Sequence, residues 1–181
     1  RFDEGLTLRK AIDNEELYLL YQPKVSLKSD QITAFEALIR WEHPTLGMIP
    51  PGDFISLAEE SGIIVPLGEW VLREACNQCK GCQEKDRPPV RVAVNLSAFQ
   101  LDRKDFVERT KAILKETNLP GNLLEFEITE TVIMQNPEFA VNILNQLRNM
   151  EIHISIDDFG TGYSSLAHLK RFSVNTLKID K

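Results

Sequence analysis

The second half of the chain alternates short β-branched segments with amphipathic segments, and this alternation restricts the fold more than any other feature of the sequence. The predicted strands are Val90–Leu96, Leu123–Ile128, Ile152–Asp157 and Val174–Ile179. The predicted helices between them are Arg103–Thr117, Pro137–Met150 and Ser164–Phe172. Strands that alternate with helices pack as a parallel sheet with right-handed crossovers, so the pattern predicts an α/β fold.

The first half is predicted to add an antiparallel hairpin to this sheet. The strand-like segments Leu17–Val25 and Gln31–Trp41 are joined by a turn at residues 28–30, a connection that suits antiparallel neighbours. Asp53 is predicted to cap the N-terminus of a helix that runs through Glu60. The other predicted elements are a helix at Leu6–Asn14, a loop at His43–Gly52 and a helix at Pro66–Lys85.

Each predicted parallel strand carries one apolar row and one polar row, because successive side chains point to opposite faces. An open sheet covered by helices needs two apolar rows, so we predict a barrel with the polar rows inside and reactive groups at the carboxyl ends of its strands. The side chains expected to meet there are Asn95, Glu127, Asp157 and Lys178. The alternative is a solvent-exposed polar face on antiparallel strands, which the intervening helices argue against.

Two adjacent carboxylates, Asp157 and Asp158, end one predicted strand. Neighbouring acids repel each other and lose hydration when buried, so a cation or a reacting group is expected to offset the cost. The alternative is a helix cap, in which Asp158 caps a helix that begins near Ser164. A cap accounts for one acid and leaves the other unexplained.

The predicted cluster contains several carboxylates but only one lysine, Lys178, so its negative charge is in excess. All-oxygen coordination suits Mg²⁺ or Mn²⁺, and two such ions can clamp the oxygens of an in-line phosphoryl displacement. Lys178 is placed to steady the attacking hydroxide, and Arg40 is placed to meet a phosphate. The candidate metal ligands are Glu36, Asn95, Glu127, Asp157 and Asp158.

Composition excludes several other classes of protein. The net charge of −6 argues against broad binding of a nucleic-acid polymer, and no apolar run reaches the ~18 residues of a membrane helix. Three clustered cysteines favour a reducing cytoplasm over a disulfide framework. A metal site at Cys76, Cys79 and Cys82 remains an alternative that their helical spacing disfavours.

The ordered motifs of the chain resemble the EAL domain family of bacterial cyclic di-GMP phosphodiesterases. The family motif is Glu36-Ala37-Leu38, and a lone tripeptide of this kind would carry no weight. The other five matching motifs are Tyr21-Gln22-Pro23, Asn95-Leu96-Ser97, Glu127-Ile128-Thr129-Glu130, Asp157 through Tyr163 and Lys178-Ile179-Asp180. Six motifs in the family's order make the resemblance specific, and it extends over the whole chain.

The resemblance implies a modified TIM (β/α)₈ barrel with one antiparallel strand and hydrolysis of cyclic di-GMP to linear pGpG with Mg²⁺ or Mn²⁺. It implies that Lys178 acts beside the nucleophilic water, that Glu36 binds metal, and that Glu130 holds the 158–165 loop at a homodimer contact. The substrate-binding residues implied by the same resemblance are Gln22, Leu38, Arg40, Asn95 and Asp180.

The family continues beyond Lys178-Ile179-Asp180 with further strand–helix units that carry another catalytic glutamate. A barrel takes about 250 residues, so roughly 70 more are expected. Residues 1–181 are therefore expected to form one incomplete domain of about six strands, impaired by itself, in a parent with GGDEF or sensory domains and a possible membrane anchor elsewhere. The alternatives are a non-catalytic cyclic di-GMP receptor and an unrelated barrel enzyme with Lys178 as a Schiff-base nucleophile.

Overall fold

A mainly parallel sheet organises the chain in a computed structural model that describes residues 2–83, 88–160, 172 and 174–179. Within these residues the sheet has seven strands in the order β1-β2-β4-β5-β6-β7, and β3 pairs with β2. The strands are β1 Leu17–Val25, β2 Ile32–His43, β3 Gly47–Ile49, β4 Arg91–Asn95, β5 Leu124–Thr129, β6 His153–Phe159 and β7 Thr176–Ile179. In the described part of the chain, the sheet stays open between β1 and β7.

The predicted hairpin and the predicted parallel strands are both confirmed. Strands β1 and β2 are antiparallel, with Gln22 opposite Glu36, whereas β2, β4, β5, β6 and β7 are successive parallel neighbours. The loop predicted at His43–Gly52 instead contains β3, which pairs with the end of β2. This mainly parallel arrangement with an antiparallel first strand agrees with the predicted fold class.

Helices cover the outer face of the sheet and bury its apolar row. The helices are α1 Phe2–Asp13, α2 Pro51–Ser61, α3 Ile64–Gly81, α4 Ala98–Leu101, α5 Phe106–Thr117, α6 Glu130–Gln135 and α7 Pro137–Asn149. The larger core cluster packs Val92, Phe126 and Ile154 of the strands against α3, α5 and α7. Burying a large side chain of this kind stabilises the fold by roughly 1.5–3 kcal/mol.

A second, smaller core closes the end of the hairpin where the chain enters it. Leu8 of α1, Trp41 of β2 and Phe54 of α2 are buried together, and the Trp41 and Phe54 rings meet edge to face with centroids 5.6 Å apart. The indole Nε1 of Trp41 donates to Glu16 Oε2 at 3.1 Å, which satisfies its one polar group. The two cores fix the hairpin against the helices on either side.

Several predicted boundaries are wrong for local reasons. Asp53 does not cap α2, because that helix begins at Pro51 with Pro50 as the cap residue, and proline favours the first helical turn. Helices α4 and α6 were missed because four and six residues are too short to show a period. Strand β6 continues past Asp157 to Phe159. The helix predicted at Ser164–Phe172 lies outside the described residues, apart from Phe172.

Among the residues that the structure describes, the three cysteines are not arranged to hold a metal ion together. Cys76 and Cys79 are buried on α3 and Cys82 is exposed. Burial raises the pKa of the Cys76 thiol to about 12, so the thiol stays protonated. Cys79 donates to the carbonyl of Val90 at 3.4 Å, a contact that ties α3 to the start of β4. None of the helices that the structure describes is long and apolar enough to cross a membrane.

Candidate active site

Three carboxylates from three strands converge on one ammonium group. Lys178 Nζ of β7 lies 2.6 Å from Glu127 Oε2 of β5, 2.8 Å from Asp157 Oδ2 of β6 and 3.5 Å from Glu36 Oε2 of β2. Asn95 of β4 joins the cluster by donating its Nδ2 to Glu36 Oε1 at 2.9 Å. The four side chains predicted to meet at this point, Asn95, Glu127, Asp157 and Lys178, are therefore together, and Glu36 joins them.

The register of the sheet produces this convergence. Asn95 is opposite Glu127 and Thr129 is opposite Asp157, so each successive strand moves its polar residue further along the shared face. Lys178 follows Leu177, which is opposite Ile156. The interior polar rows read from the sequence are thus confirmed as one connected surface.

The cluster is buried enough for its charges to interact strongly. Glu127 is only 1% exposed, and burial raises the pKa of its carboxyl against the opposing hydrogen bonds from Lys178 and Lys24. Burial alone would lower the pKa of Lys178, but its hydrogen bonds to Asp157 and Glu127 outweigh burial and raise that pKa above its ordinary value. An amine held as ammonium is a poor Schiff-base nucleophile, which argues against that alternative.

Adjacent Asp157 and Asp158 are separated by a bulge in β6. The pairing with β7 shifts between Ile156 and Phe159, and Asp158 has a positive φ of 54°, a conformation that aspartate tolerates better than most residues. Asp157 faces Lys178, whereas Asp158 is exposed and its backbone N–H donates to Asp157 Oδ1 at 3.0 Å. The two aspartates therefore lie in different environments. The helix that Asp158 would cap in the alternative lies outside the described residues.

Glu130 contacts the segment that follows β6. It begins α6, whose N-terminus is capped by the Thr129 side chain, and its Oε2 accepts from the backbone N–H of Gly160 at 2.9 Å. Glu130 is 4% exposed. This contact reaches the first part of the predicted 158–165 loop, and residues 161–165 are outside the described part of the chain.

Three of the predicted substrate-binding residues line one cavity beside the cluster. Leu38, Arg40 and Asn95 border an opening of about 210 Å³ whose other walls come from β2, α2, α3 and α4. Arg40 Nη1 donates to the carbonyl of Ile39 at 2.8 Å. Gly68 lets the Gln100 amide approach the wall, because a Cβ at Gly68 would stand 1.9 Å from Gln100 Nε2.

Gln22 lies in a different place from the other predicted substrate residues. It borders a second cavity of about 360 Å³, whose walls include Glu36 and Lys178 but not Leu38 or Arg40. The two cavities meet at the carboxylate cluster, since Glu36 borders one and its partner Asn95 borders the other. Asp180, predicted with this group, lies outside the described residues.

Lys24 is a further member of this site that was not predicted from the sequence. Its Nζ lies 2.8 Å from Glu125 Oε1 and also contacts Glu127 Oε1. A signal was present, because Lys24 is opposite Ala34 in the hairpin and therefore shares a face with Glu36. The polar and apolar rows predicted from the sequence cover only the parallel strands, and β1 is antiparallel to its neighbour.

The carboxylate oxygens of the cluster fit a hard divalent cation, although the Lys178 ammonium occupies the point between them. In the described part of the chain, no three carboxylate, imidazole or thiol groups are arranged to hold a metal ion as they stand. The oxygens of Glu36, Glu127 and Asp157 nevertheless lie within 3.5 Å of a single cationic atom. Oxygen-only donors around a positive charge are the chemistry that Mg²⁺ and Mn²⁺ require.

Sequence comparison assigns the chain to a family. Residues 6–181 match the EAL domain, and the chain belongs to the EAL domain family. Relatives include the cyclic di-GMP phosphodiesterase PdeR of Escherichia coli, 42% identical, and the bifunctional diguanylate cyclase/cyclic di-GMP phosphodiesterase MucR of Pseudomonas aeruginosa, 45% identical. Each alignment covers 96% of this chain and 26% or 25% of the relative, so the chain spans about a quarter of their length.

Solved structures of EAL domains share the fold. A MucR phosphodiesterase in complex with c-di-GMP superimposes with a TM-score of 0.93 at 44% identity, over 98% of this chain and 72% of that one. The FimX EAL domain of Pseudomonas aeruginosa bound to c-di-GMP gives a TM-score of 0.89 at 25% identity, over 98% and 71% of the two chains. The family and the barrel-type fold predicted from the sequence are confirmed.

Proposed function

We propose that this domain hydrolyses cyclic di-GMP to linear pGpG. The observation that carries the proposal is the convergence of Glu36, Glu127 and Asp157 on Lys178, because oxygen ligands and a cation at one point suit phosphoryl transfer. The relatives PdeR and MucR are named as cyclic di-GMP phosphodiesterases, which supports the same substrate here.

Divalent cations would supply water activation and neutralisation of phosphate charge. The residues that would hold Mg²⁺ or Mn²⁺ are Glu36, Asn95, Glu127, Asp157 and Asp158. Lys178, as an ammonium, places positive charge beside the carboxylates and stabilises the negative charge that develops on the attacking oxygen.

The cavity next to the cluster is where the substrate would bind. Arg40 presents a guanidinium suited to a phosphate, and Leu38 offers an apolar wall to a base. Both border the same opening as Asn95, so a phosphodiester held by Arg40 lies next to the carboxylates. Glu130, through its bond to Gly160, orients the backbone that follows Asp157 and Asp158.

The test is replacement of a carboxylate that faces the cluster, with a matched change on the same strand. In the full-length protein, Glu36→Ala is expected to reduce pGpG release, followed by chromatography with Mg²⁺ or Mn²⁺, to the level without enzyme. Glu42→Ala removes an exposed carboxylate from β2 and is expected to keep wild-type turnover. Full activity of Glu36→Ala would contradict the metal assignment.

The same measurement separates an enzyme from a receptor. The Glu127 carboxylate is paired with Lys24 and Lys178, an arrangement that a ligand-binding domain without chemistry could also keep. Tight binding of cyclic di-GMP by the full-length protein, with no pGpG formed with either metal, would establish the receptor function. Turnover with either metal would exclude a receptor without catalysis.

A further inference from the structure

Lys24 contacts two carboxylates of β5, those of Glu125 and Glu127. It approaches Glu127 from the side opposite Lys178. Its Nζ is 2.8 Å from Glu125 Oε1 and contacts Glu127 Oε1. Lys178 contacts the other oxygen of the same carboxylate, Glu127 Oε2, at 2.6 Å. The Glu127 carboxylate is thus held between two ammonium groups, one on each oxygen.

Small residues on the intervening strands give the lysine its path. Lys24 is on β1 and its partners are on β5, with β2 and β4 between them, so the side chains meet over the inner face of those two strands. The register places Ala34 opposite Lys24 and Ala93 opposite Glu125, and an alanine leaves room where a larger inward residue would block the way. The cavity of about 360 Å³ that Lys24 and Glu125 border is the remainder of this space.

Glu125, two residues before Glu127 on β5, fixes the position of Lys24. Its Oε1 accepts from Ser155 Oγ at 2.6 Å, and its Oε2 lies 3.4 Å from Arg91 Nε. The ammonium of Lys24 is therefore shared between the Glu125 and Glu127 carboxylates.

We propose that Lys24 is a positioning residue that occupies Glu127 Oε1, leaves Oε2 to face the cluster, and limits how tightly the site binds a divalent cation. The inference rests on the proposed function, because it assumes that Glu127 is a metal ligand. A divalent cation held by Glu127 would compete with Lys178 for that carboxylate, whereas Lys24 would keep its contact with Oε1. The ammonium of Lys24 would then lie close to the cation and repel it.

The sign of this effect distinguishes it from a merely structural role. If Lys24 only supported the fold around Glu127, its removal would loosen the ligand and weaken metal binding. If its charge limits affinity, removal strengthens metal binding, because a like charge a few ångströms away is lost from a partly buried site. The dissociation constant of the metal therefore reports which role Lys24 has.

The experiment measures Mn²⁺ binding to the full-length protein by isothermal titration calorimetry without nucleotide. Lys24→Met is expected to bind Mn²⁺ about tenfold more tightly than wild type. Lys24→Arg keeps the charge and is expected to stay within about twofold. Lys28→Met, which removes an exposed lysine from the turn after β1, is the matched control and is expected to leave the constant unchanged.

A second variant tests the contact between Glu125 and Lys24, and it is expected to weaken Mn²⁺ binding rather than strengthen it. Glu125→Gln releases Lys24 to pair with Glu127 alone, so Mn²⁺ is expected to bind about fivefold more weakly. In the Lys24→Met background most of this loss is expected to disappear. Purely additive effects of the two changes would show that Glu125 acts directly on the metal and would overturn the link through Lys24.

The outcomes separate this inference from the proposed function. Wild-type protein that binds no Mn²⁺ would overturn both. Wild-type protein that binds Mn²⁺, with Lys24→Met unchanged or weaker, would overturn the role of Lys24 and leave the metal site standing. If Lys24→Met does not fold, Lys24→Gln, which keeps a polar side chain without the charge, is expected to show the same tightening, and its absence counts equally against the proposal.

Discussion

The two faces of strand β5 are equally buried and have opposite chemistry. On the outer face, Leu124, Phe126 and Ile128 are at most 1% exposed and pack under the helices. On the inner face, Glu125 and Glu127 are 3% and 1% exposed and are held by lysines. Burial alone therefore does not distinguish the part of the strand that stabilises the fold from the part for which we propose a chemical role.

The difference lies in what satisfies each face. Apolar side chains gain by leaving water, whereas a buried ion pair repays its desolvation only when geometry and hydrogen bonds are good. Glu127 is surrounded by charge, and burial still raises the pKa of its carboxyl. The outer face stabilises β5. On the inner face, the desolvation of buried carboxylates costs folding free energy, and such a cost is expected where the side chains serve a function.

The largest effect is expected from breaking the outer face. Phe126→Ala removes a ring that is 1% exposed and packs 5.6 Å, centroid to centroid, from Phe106. The loss of burial and the cavity left behind are expected to lower the free energy of opening by about 3–5 kcal/mol. Hydrogen exchange of the β5 amides, followed by mass spectrometry, measures this free energy.

Phe99→Ala is the matched control for that change. The Phe99 side chain is 53% exposed, so its truncation is expected to alter the same free energy by less than about 0.5 kcal/mol. Equal effects of the two truncations would show that burial on the outer face is not what stabilises β5.

The sequence predicted the two faces better than it predicted their details. Alternation along β5 placed Glu125 and Glu127 together on one face and Phe126 on the other, because strand periodicity depends only on neighbouring residues. The bulge at Asp158 was not visible, since a positive φ at a non-glycine residue leaves no clear mark in one sequence. Lys24 was missed because its partners are about 100 residues away in the chain, and only the assembled sheet brings them together.

An effect of comparable or smaller size is expected from breaking the inner face. Lys178→Met removes the ammonium that contacts Glu127 and Asp157, and the turnover number is expected to fall by about 10²–10³, as when one charge-stabilising donor is lost. Lys111→Met, an exposed position on α5, is the control. Steady-state kinetics with saturating Mn²⁺ and cyclic di-GMP measure both, and unchanged turnover in Lys178→Met would remove this lysine from the chemistry.

The smallest effect is expected at Glu16, a carboxylate outside the inner face of the sheet, and it serves as a comparison for the buried carboxylates of β5. Glu16 accepts from Trp41 Nε1 at 3.1 Å, and this hydrogen bond holds the pKa of its carboxyl below the ordinary 4.5. A lowered pKa in the folded state means that the ionised group stabilises the fold above about pH 4.5, and that this contribution is lost as pH falls through the folded pKa.

Glu16→Gln keeps an acceptor for Trp41 and removes the charge. Its free energy of unfolding in urea is expected to be lower than wild type by less than about 1 kcal/mol at pH 7, because solvent screens this ion, and the difference is expected to shrink towards pH 3. Glu15→Gln, a neighbouring exposed carboxylate, controls for the change in net charge. A difference that grows as pH falls would show that ionised Glu16 opposes folding, as the buried inner carboxylates do before their lysines compensate them.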